Sequence, residues 1–309
     1  MQIEKGLRGL SPLKSGCVLT IGNFDGVHLG HREIISQLVE RSKQLGVPGV
    51  VLTFNPHPSQ VLRPKNPARR LFSIKDLEIQ LCQLAVDQLI IEPFTVEFSQ
   101  ISAEDFISQL VVPVLHPRHI IIGHDFVFGH AQEGTLPVLS ELAKRHNFLI
   151  EQVAPVMRNG EFVSSTRIRK LIESGDVTQA KELLGRPFYI EGEVVLGEGR
   201  GKKLGYATAN THFVSEILPA DGVYVTEFCV GERKLESVTN IGHKPTFHEN
   251  YKFTVETHVL NSQELFYSQS VRISFLRRLR PELKFSSPCE LIIQIEKDVL
   301  ETKKYFSTK

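Results

Sequence analysis

Ten consecutive residues near the start of the chain, Gly22-Asn23-Phe24-Asp25-Gly26-Val27-His28-Leu29-Gly30-His31, combine two imidazoles, a carboxylate and three glycines. They follow a short apolar run, Val18–Ile21, and open a helical pattern that places Ile34, Ile35, Leu38 and Val39 on one face. A helix N-terminus carries unpaired backbone N–H groups and a partial positive charge, both suited to phosphate. Gly22, Phe24, Asp25 and Gly26 fall in the turn before that helix, and Gly26 and Gly30 let the backbone approach a ligand. His28 and His31, three apart, point to one side of a helix start. Two imidazoles there could hydrogen-bond an α-phosphate as charge builds in a transition state. Two other readings stay open: a purely structural pair, or a metal held together with Asp25. The zincin pattern is not one of them, because it needs a spacing of four and an intervening Glu.

Three further segments bear on the same chemistry. Val163-Ser164-Ser165-Thr166-Arg167-Ile168-Arg169 sets hydroxyls and guanidiniums at the start of another predicted helix, where Arg169 could grip phosphates in bidentate fashion. Gly197-Glu198-Gly199-Arg200-Gly201-Lys202-Lys203-Leu204-Gly205 is a glycine-rich loop whose N–H groups and basic side chains could wrap phosphate. It fits neither the Walker A nor the dinucleotide fingerprint spacing, and a mobile hairpin is the plainer reading of such a loop alone. Thr208 and Asn210, two apart in an extended segment, turn oxygens to one side. Hard oxygens suit Mg²⁺, which keeps waters and substrate phosphates as its other ligands.

The elements that must position these residues follow two grammars. Val18–Ile21, Val50–Phe54, Leu89–Ile91, Ile120–Ile122 and Phe148–Val153 read as strands, with helical stretches between them; one such stretch starts at Ser102–Asp105. That alternation predicts an α/β domain with a parallel sheet covered on both faces, its site beyond the carboxyl ends of the strands. After a helical stretch at Val177–Leu184 come strand-like Tyr189–Val195, Val223–Val230, Leu235–Ile241, Phe253–Leu260 and Val271–Phe275. They predict a small β-barrel. A final helix is expected from Ser287 as cap, Pro288 at the first position and Glu290 completing a capping box, with Leu291, Ile292, Ile295 and Val299 as its buried stripe. The expected domains are 1–184 and 185–309.

Composition narrows the function classes. The 309 residues are 41% apolar and 23% charged with a net charge of +1, ordinary values for a folded protein. There is no basic stripe of the kind nucleic acid requires; Arg277, Arg278 and Arg280 are the densest cluster. Cys17, Cys82, Cys229 and Cys289 lie outside metal-ligand spacing of one another. No leader-like segment opens the sequence, and apolar runs are far shorter than the roughly 20 residues a spanning helix needs. The expectation is a cytoplasmic protein that acts on small molecules without a nucleic-acid or membrane partner. The oligomeric state is left open.

Gly22–His31, Phe54-Asn55-Pro56-His57-Pro58, Gly123-His124-Asp125-Phe126-Val127-Phe128-Gly129 and Ser164–Arg169, in this order and separation, resemble the bacterial bifunctional riboflavin kinase/FMN adenylyltransferase family, also called FAD synthetase. The resemblance runs almost to the C-terminus. It implies an HxGH-type nucleotidyltransferase domain with a Rossmann-like sheet, followed by a riboflavin kinase barrel. Riboflavin would become FMN, and FMN would become FAD with release of pyrophosphate. By this resemblance His28 and His31 stabilise adenylyl transfer, while Ser165, Thr166 and Arg169 hold the triphosphate. Asn55, Asp125 and Phe128 border the flavin and adenine pocket, although Asn55 and His57 read equally well as turn residues. In the kinase, Gly197, Gly199, Gly201, Lys202 and Gly205 wrap MgATP, and Thr208 and Asn210 ligate Mg²⁺. Glu256, in Val255-Glu256-Thr257-His258, matches the family's catalytic base, and Arg280 would contact flavin. The family pattern Pro-Thr-Ala-Asn appears as Ala207-Thr208-Ala209-Asn210. The missing proline leaves room for a chain with one activity only, its kinase weakened. A flavin-binding module without catalysis is the further alternative.

Overall fold

The apolar runs of the first half become parallel strands because each buries side chains on both faces. β1 (Gln2–Lys5), β2 (Cys17–Ile21), β3 (Gly49–Asn55), β4 (Gln88–Pro93), β5 (Pro117–Gly123) and β6 (Leu149–Val153) pair in the order β1-β4-β3-β2-β5-β6, every pair parallel. This is a computed structural model, and it describes residues 1–197, 205–244 and 252–308. Successive strand residues alternate between faces. Leu19, Leu52, Ile90 and Ile120 therefore join one apolar cluster, and Val18, Val51, Leu89 and Ile121 another. All eight are 0% exposed, and each contributes about 1.5–3 kcal/mol of hydrophobic burial. The sheet has two apolar faces, as a parallel sheet requires. β1 has no sequence forecast, since its four residues are short, polar and mostly exposed at the sheet edge.

The helices of this half are α1 (Leu29–Leu45), α2 (Pro58–Leu62) and α3 (Ile74–Gln83), then α4 (Ala103–Asp105) and α5 (Val112–Leu115) joined by a π segment, Phe106–Val111, and finally α6 (Leu136–His146). Ser102 caps α4 as expected, accepting from the Asp105 N–H at 3.0 Å. The loosened π register falls just before Pro113, which has no N–H to donate to a helical ladder. A two-residue hairpin, β7 (Met157–Arg158) with β8 (Glu161–Phe162), leads to α7 (Ser165–Ser174) and α8 (Val177–Leu184).

The second half closes on itself. β9 (Phe188–Val195), β10 (Ala209–Phe213), β11 (Gly222–Val230), β12 (Arg233–Lys244), β13 (Lys252–Val259) and β14 (Ser270–Arg280) form a closed barrel in the order β10-β13-β12-β11-β14-β9, all antiparallel. Tyr224, Phe188, Phe228 and Phe275 fill its interior. Closure leaves no edge strand to aggregate. The seams differ in length: β11 and β12 share nine residue pairs, whereas β10 and β13 share two, Ala209↔Thr257 and Asn210↔Glu256.

α9 (Pro288–Ser307) ends the described chain, with two departures from expectation. Ser287 does cap it, but the Glu290 carboxylate accepts from the N–H and hydroxyl of Ser286 rather than from the cap residue, so the reciprocal box is displaced by one residue. Leu291, Ile292, Ile295 and Val299 are only half-buried, and the buried residues are Asp298 and Thr302. The helix is held on the barrel by an ion pair instead of a fully buried apolar stripe. Arg280 donates to Asp298 at 3.0 and 2.8 Å, with side chains 16% and 8% exposed. By its contacts the chain divides into compact units Met1–Ser165 and Thr166–Lys309, which groups α7 and α8 with the barrel, whereas the division expected from sequence falls after Leu184.

Candidate active sites

In the first unit the strand order reverses between β2 and β5: β3 and β4 stack outward from β2 on one side, with β1 beyond them, and β6 lies outside β5 on the other. A crevice at such a switch point is where α/β sheets bind ligands. Gly22–His31 leaves the carboxyl end of β2, and Gly123–Gly129 leaves that of β5. The turn is wound unusually tightly. Phe24, Gly26 and Val27 all have positive φ, at 47°, 89° and 39°. For the β-branched Val27 that conformation costs about 1–3 kcal/mol, met in part by burial of its side chain, which is 2% exposed. The Asp25 carboxylate accepts from the Leu71 N–H at 3.0 Å, which ties the turn to the segment ahead of α3. The Asp25 carbonyl accepts from the Ser165 hydroxyl at 2.8 Å, which ties the first residue of α7 to this mouth.

His28 is the N-cap of α1. Its Nδ1 accepts from the His31 N–H at 3.3 Å, so in the neutral ring the hydrogen sits on Nε2, the atom able to donate to phosphate. The two imidazoles stack, with centroids 3.6 Å apart and planes 17° from parallel. Phe24 meets His31 edge-on at 5.3 Å. His28 is 5% exposed and His31 half-buried, which puts His31 nearer solvent. A side chain at Gly30 would come within 3.2 Å of the His28 ring. Glycine at this position leaves room for the imidazole. Such an arrangement offers N–H groups, a helix dipole and ring donors to one anion.

An aromatic wall stands at the carboxyl ends of β3, β4 and β5. Phe54, Phe94 and Phe98 contact one another at 5.5–5.8 Å, Phe98 touches Phe106, and Phe106 touches Phe128, which stacks on Phe126 at 5.3 Å. Phe54, Phe94, Phe98 and Phe126 keep part of their surface open. Of the three residues expected in this pocket, Phe128 is core, 8% exposed, and Asp125 is exposed at the end of β5. Asn55 is exposed and accepts from Arg70 at 3.0 Å. His57 caps α2, its Nδ1 accepting from Ser59 N–H at 3.2 Å, which is the turn-forming role.

In the barrel unit the outer face of the shortest seam brings distant residues together. Asn210 on β10 and Asn240 on β12 each lie opposite Glu256 on β13 in the register. All three are half-buried, while their neighbours Val255 and Thr257 point into the core. Gly197 lies against the Asn210 carboxamide so closely that a Cβ there would stand 2.1 Å from Nδ2. Thr208 borders a shallow cleft of about 30 Å³, room for a single water, with Val194, Ala207, Ala209, Val259 and Phe266 among its walls. The neighbouring Tyr206 hydroxyl is held above its usual pKa by burial and by the negative charge of Glu296. Gly199, Gly201 and Lys202 lie outside the described residues.

Residues 10–167 match the FAD synthetase family and residues 184–306 the riboflavin kinase family. A bifunctional riboflavin kinase/FMN adenylyltransferase of Haemophilus influenzae is 34% identical over 309 residues, 100% of both chains. That of Escherichia coli strain K12 is 33% identical over 308 residues, 99% of this chain and 98% of the other. The chain belongs to the bifunctional riboflavin kinase/FMN adenylyltransferase family. A crystal structure described as a macrolide-efflux protein of Streptococcus pneumoniae has the same fold, with a TM-score of 0.90 over 98% of this chain and 99% of that one at 28% identity. Among the described residues no helix is long and apolar enough to cross a membrane.

Within that family frame, His28 and His31 stack on each other, whereas Thr208 borders the cleft of Val194 and Val259 and Asn210 lies opposite Glu256. Arg280 is different. Its guanidinium is committed to Asp298 and to the Pro281 carbonyl, at 3.0 Å, so it clamps α9 and does not stand out toward a ligand. Three features carry no local signature in the sequence. Asn240 lay within Leu235–Ile241, read only as a strand. The aromatic wall is scattered over five segments. The strain at Val27 is invisible where glycine is absent.

Proposed function

We infer that the barrel unit phosphorylates riboflavin to FMN with MgATP and that the α/β unit transfers the adenylyl group of a second ATP to FMN, giving FAD and pyrophosphate. The reading is carried by Asn210 and Glu256, forty-six positions apart, standing opposite each other beside a glycine-backed carboxamide. That is a place built for a hydroxyl nucleophile and a metal-bound phosphate. Glu256 takes the proton from the terminal ribityl hydroxyl as its oxygen attacks the γ-phosphorus, and ADP leaves. Thr208 and Asn210 would hold Mg²⁺ through their side-chain oxygens, and the ion would shield the phosphate charges. The donor set fits: hard neutral oxygens, which Mg²⁺ accepts alongside waters and phosphates. Among the described residues no cluster of three His, Cys, Asp or Glu competes for the metal.

In the α/β unit the FMN phosphate oxygen attacks the α-phosphorus of ATP, and the P–O bond to pyrophosphate breaks. No covalent enzyme intermediate is required. His28 Nε2–H and His31 stabilise the charge that develops at the α-phosphate, aided by the α1 N-terminus through Gly22–Gly26. Ser165, Thr166 and Arg169 hold the triphosphate, and the isoalloxazine lies against the aromatic wall near Asn55 and Asp125. Because Thr166 and Arg169 serve adenylyl transfer, the functional division is placed at 1–184 and 185–309. Substrates made and used inside the cell, with four thiols free among the described residues, support a cytoplasmic enzyme. The test is purified protein with riboflavin and MgATP, products separated by chromatography. FMN should appear first and FAD follow with pyrophosphate. Flavin retained without turnover would support the non-catalytic module, and FMN or FAD formation alone a single activity.

A further inference from the structure

The barrel is thinnest where its phosphoryl-transfer residues sit. β10 and β13 pair at Ala209↔Thr257 and Asn210↔Glu256, while β12 and β13 run through eight pairs. Beyond the last backbone pair of that seam, a side chain takes over. His258 Nδ1 lies 2.9 Å from the Ala207 carbonyl oxygen. A carbonyl can only accept, so Nδ1 carries the hydrogen. Tyr206 meets the imidazole edge-on, with centroids 5.4 Å apart and planes at 78°, and so fixes the plane of the ring. The bond holds the residue immediately before Thr208. Little else in the local sequence would do so. Gly205, at φ +88°, is free of side-chain restraint, and Ala207 stands where the family pattern has a proline that would lock φ near −65°.

We propose that His258 is a positioning residue for riboflavin phosphorylation: it staples Ala207 to β13 and so holds the Thr208 and Asn210 oxygens in place for MgATP. It supplies from outside the backbone the restraint that proline would supply from within. His258 projects from the same outer face of β13 as Glu256, so one strand carries both the base and the staple. The proposal rests on the reading of Thr208, Asn210 and Glu256 as the kinase site.

The test uses the full chain in four forms, His258→Ala, His258→Gln, Ala207→Pro with His258→Ala, and Glu256→Gln. FMN formation is measured against MgATP concentration, and adenylylation of supplied FMN serves as the control for folding. His258→Ala should raise KM for MgATP in FMN formation about tenfold, with kcat changed less, because the metal ligands lose their registration. Adenylylation should be unchanged. His258→Gln, whose amide can still donate, should recover part of the loss. Adding Ala207→Pro to His258→Ala should bring KM back to within about twofold of the parent, since the proline fixes φ without the imidazole. A His258→Ala protein with normal adenylylation and an unchanged KM for MgATP overturns the proposal, and so does a double variant that recovers nothing. Glu256→Gln separates the two levels: if it keeps making FMN, the kinase-site reading itself is wrong, whatever His258 does.

Discussion

The mouth of α1 and the seam of the barrel are both assigned to phosphate, but they are made differently. The mouth is shaped by the backbone of ten consecutive residues: three positive φ values, a histidine cap and a helix N-terminus. The seam is shaped by side chains that the antiparallel register gathers from three strands, Asn210, Asn240 and Glu256, with Gly197 packed against the first. A backbone site is rigid by construction and tolerates little change of residue type within its turn. A register site depends on strands meeting correctly, and its weak point is the seam where pairing is shortest. The difference fits the chemistry. Adenylyl transfer needs charge stabilisation alone, whereas phosphorylation of a hydroxyl also needs a base placed beside the metal.

Substitutions can separate the two plans. The largest expected effect is at the base: Glu256→Gln should lower FMN formation from riboflavin by about 10²–10⁴-fold, while supplied FMN is still adenylylated, as product chromatography would show. Next, His31→Ala should lower FAD formation by about 10²–10³-fold, the cost of one lost charge-stabilising donor, with FMN formation intact. A smaller effect tests the side-chain plan. Gly197→Ala puts a Cβ where the Asn210 amide lies, and displacing that ligand should raise KM for MgATP in the kinase about tenfold or more. An unchanged KM would mean that Asn210 is not a ligand. The smallest is Ser165→Ala, which removes the 2.8 Å bond to the Asp25 carbonyl. It should weaken ATP use in FAD formation about fivefold, equivalent to about 1 kcal/mol, and leave the kinase untouched.

The same contrast explains what the amino-acid sequence revealed. The α1 mouth was legible because its parts are contiguous and because helix starts have a local grammar of glycine, cap and apolar period. The parallel sheet was legible through its unbroken apolar runs; the polar edge strand Gln2–Lys5 was not, because nothing apolar marks it. Positive φ at Phe24 and Val27 was hidden, since neither residue type favours it. In the barrel, the spacing of Thr208 and Asn210 was readable, but the partnership of Asn210 with Glu256 is a fact of register, and only family resemblance singled out Glu256. Arg280, which only the family resemblance set beside flavin, donates to Asp298 eighteen positions later, a partner that no local pattern announces. The stripe of α9 failed for the related reason that an ion pair carries its docking, leaving Leu291, Ile292, Ile295 and Val299 half-buried.

Two phosphate sites that work independently make a demand that no single-variant assay captures. His31→Ala and Glu256→Gln proteins, each given riboflavin and MgATP alone, should yield FMN only and no product, respectively. Mixed in one tube they should restore FAD, because FMN released by the first is taken up by the second. A mixture that makes no FAD, from variants that have each lost both products, would contradict the division of labour between the helix mouth and the barrel seam.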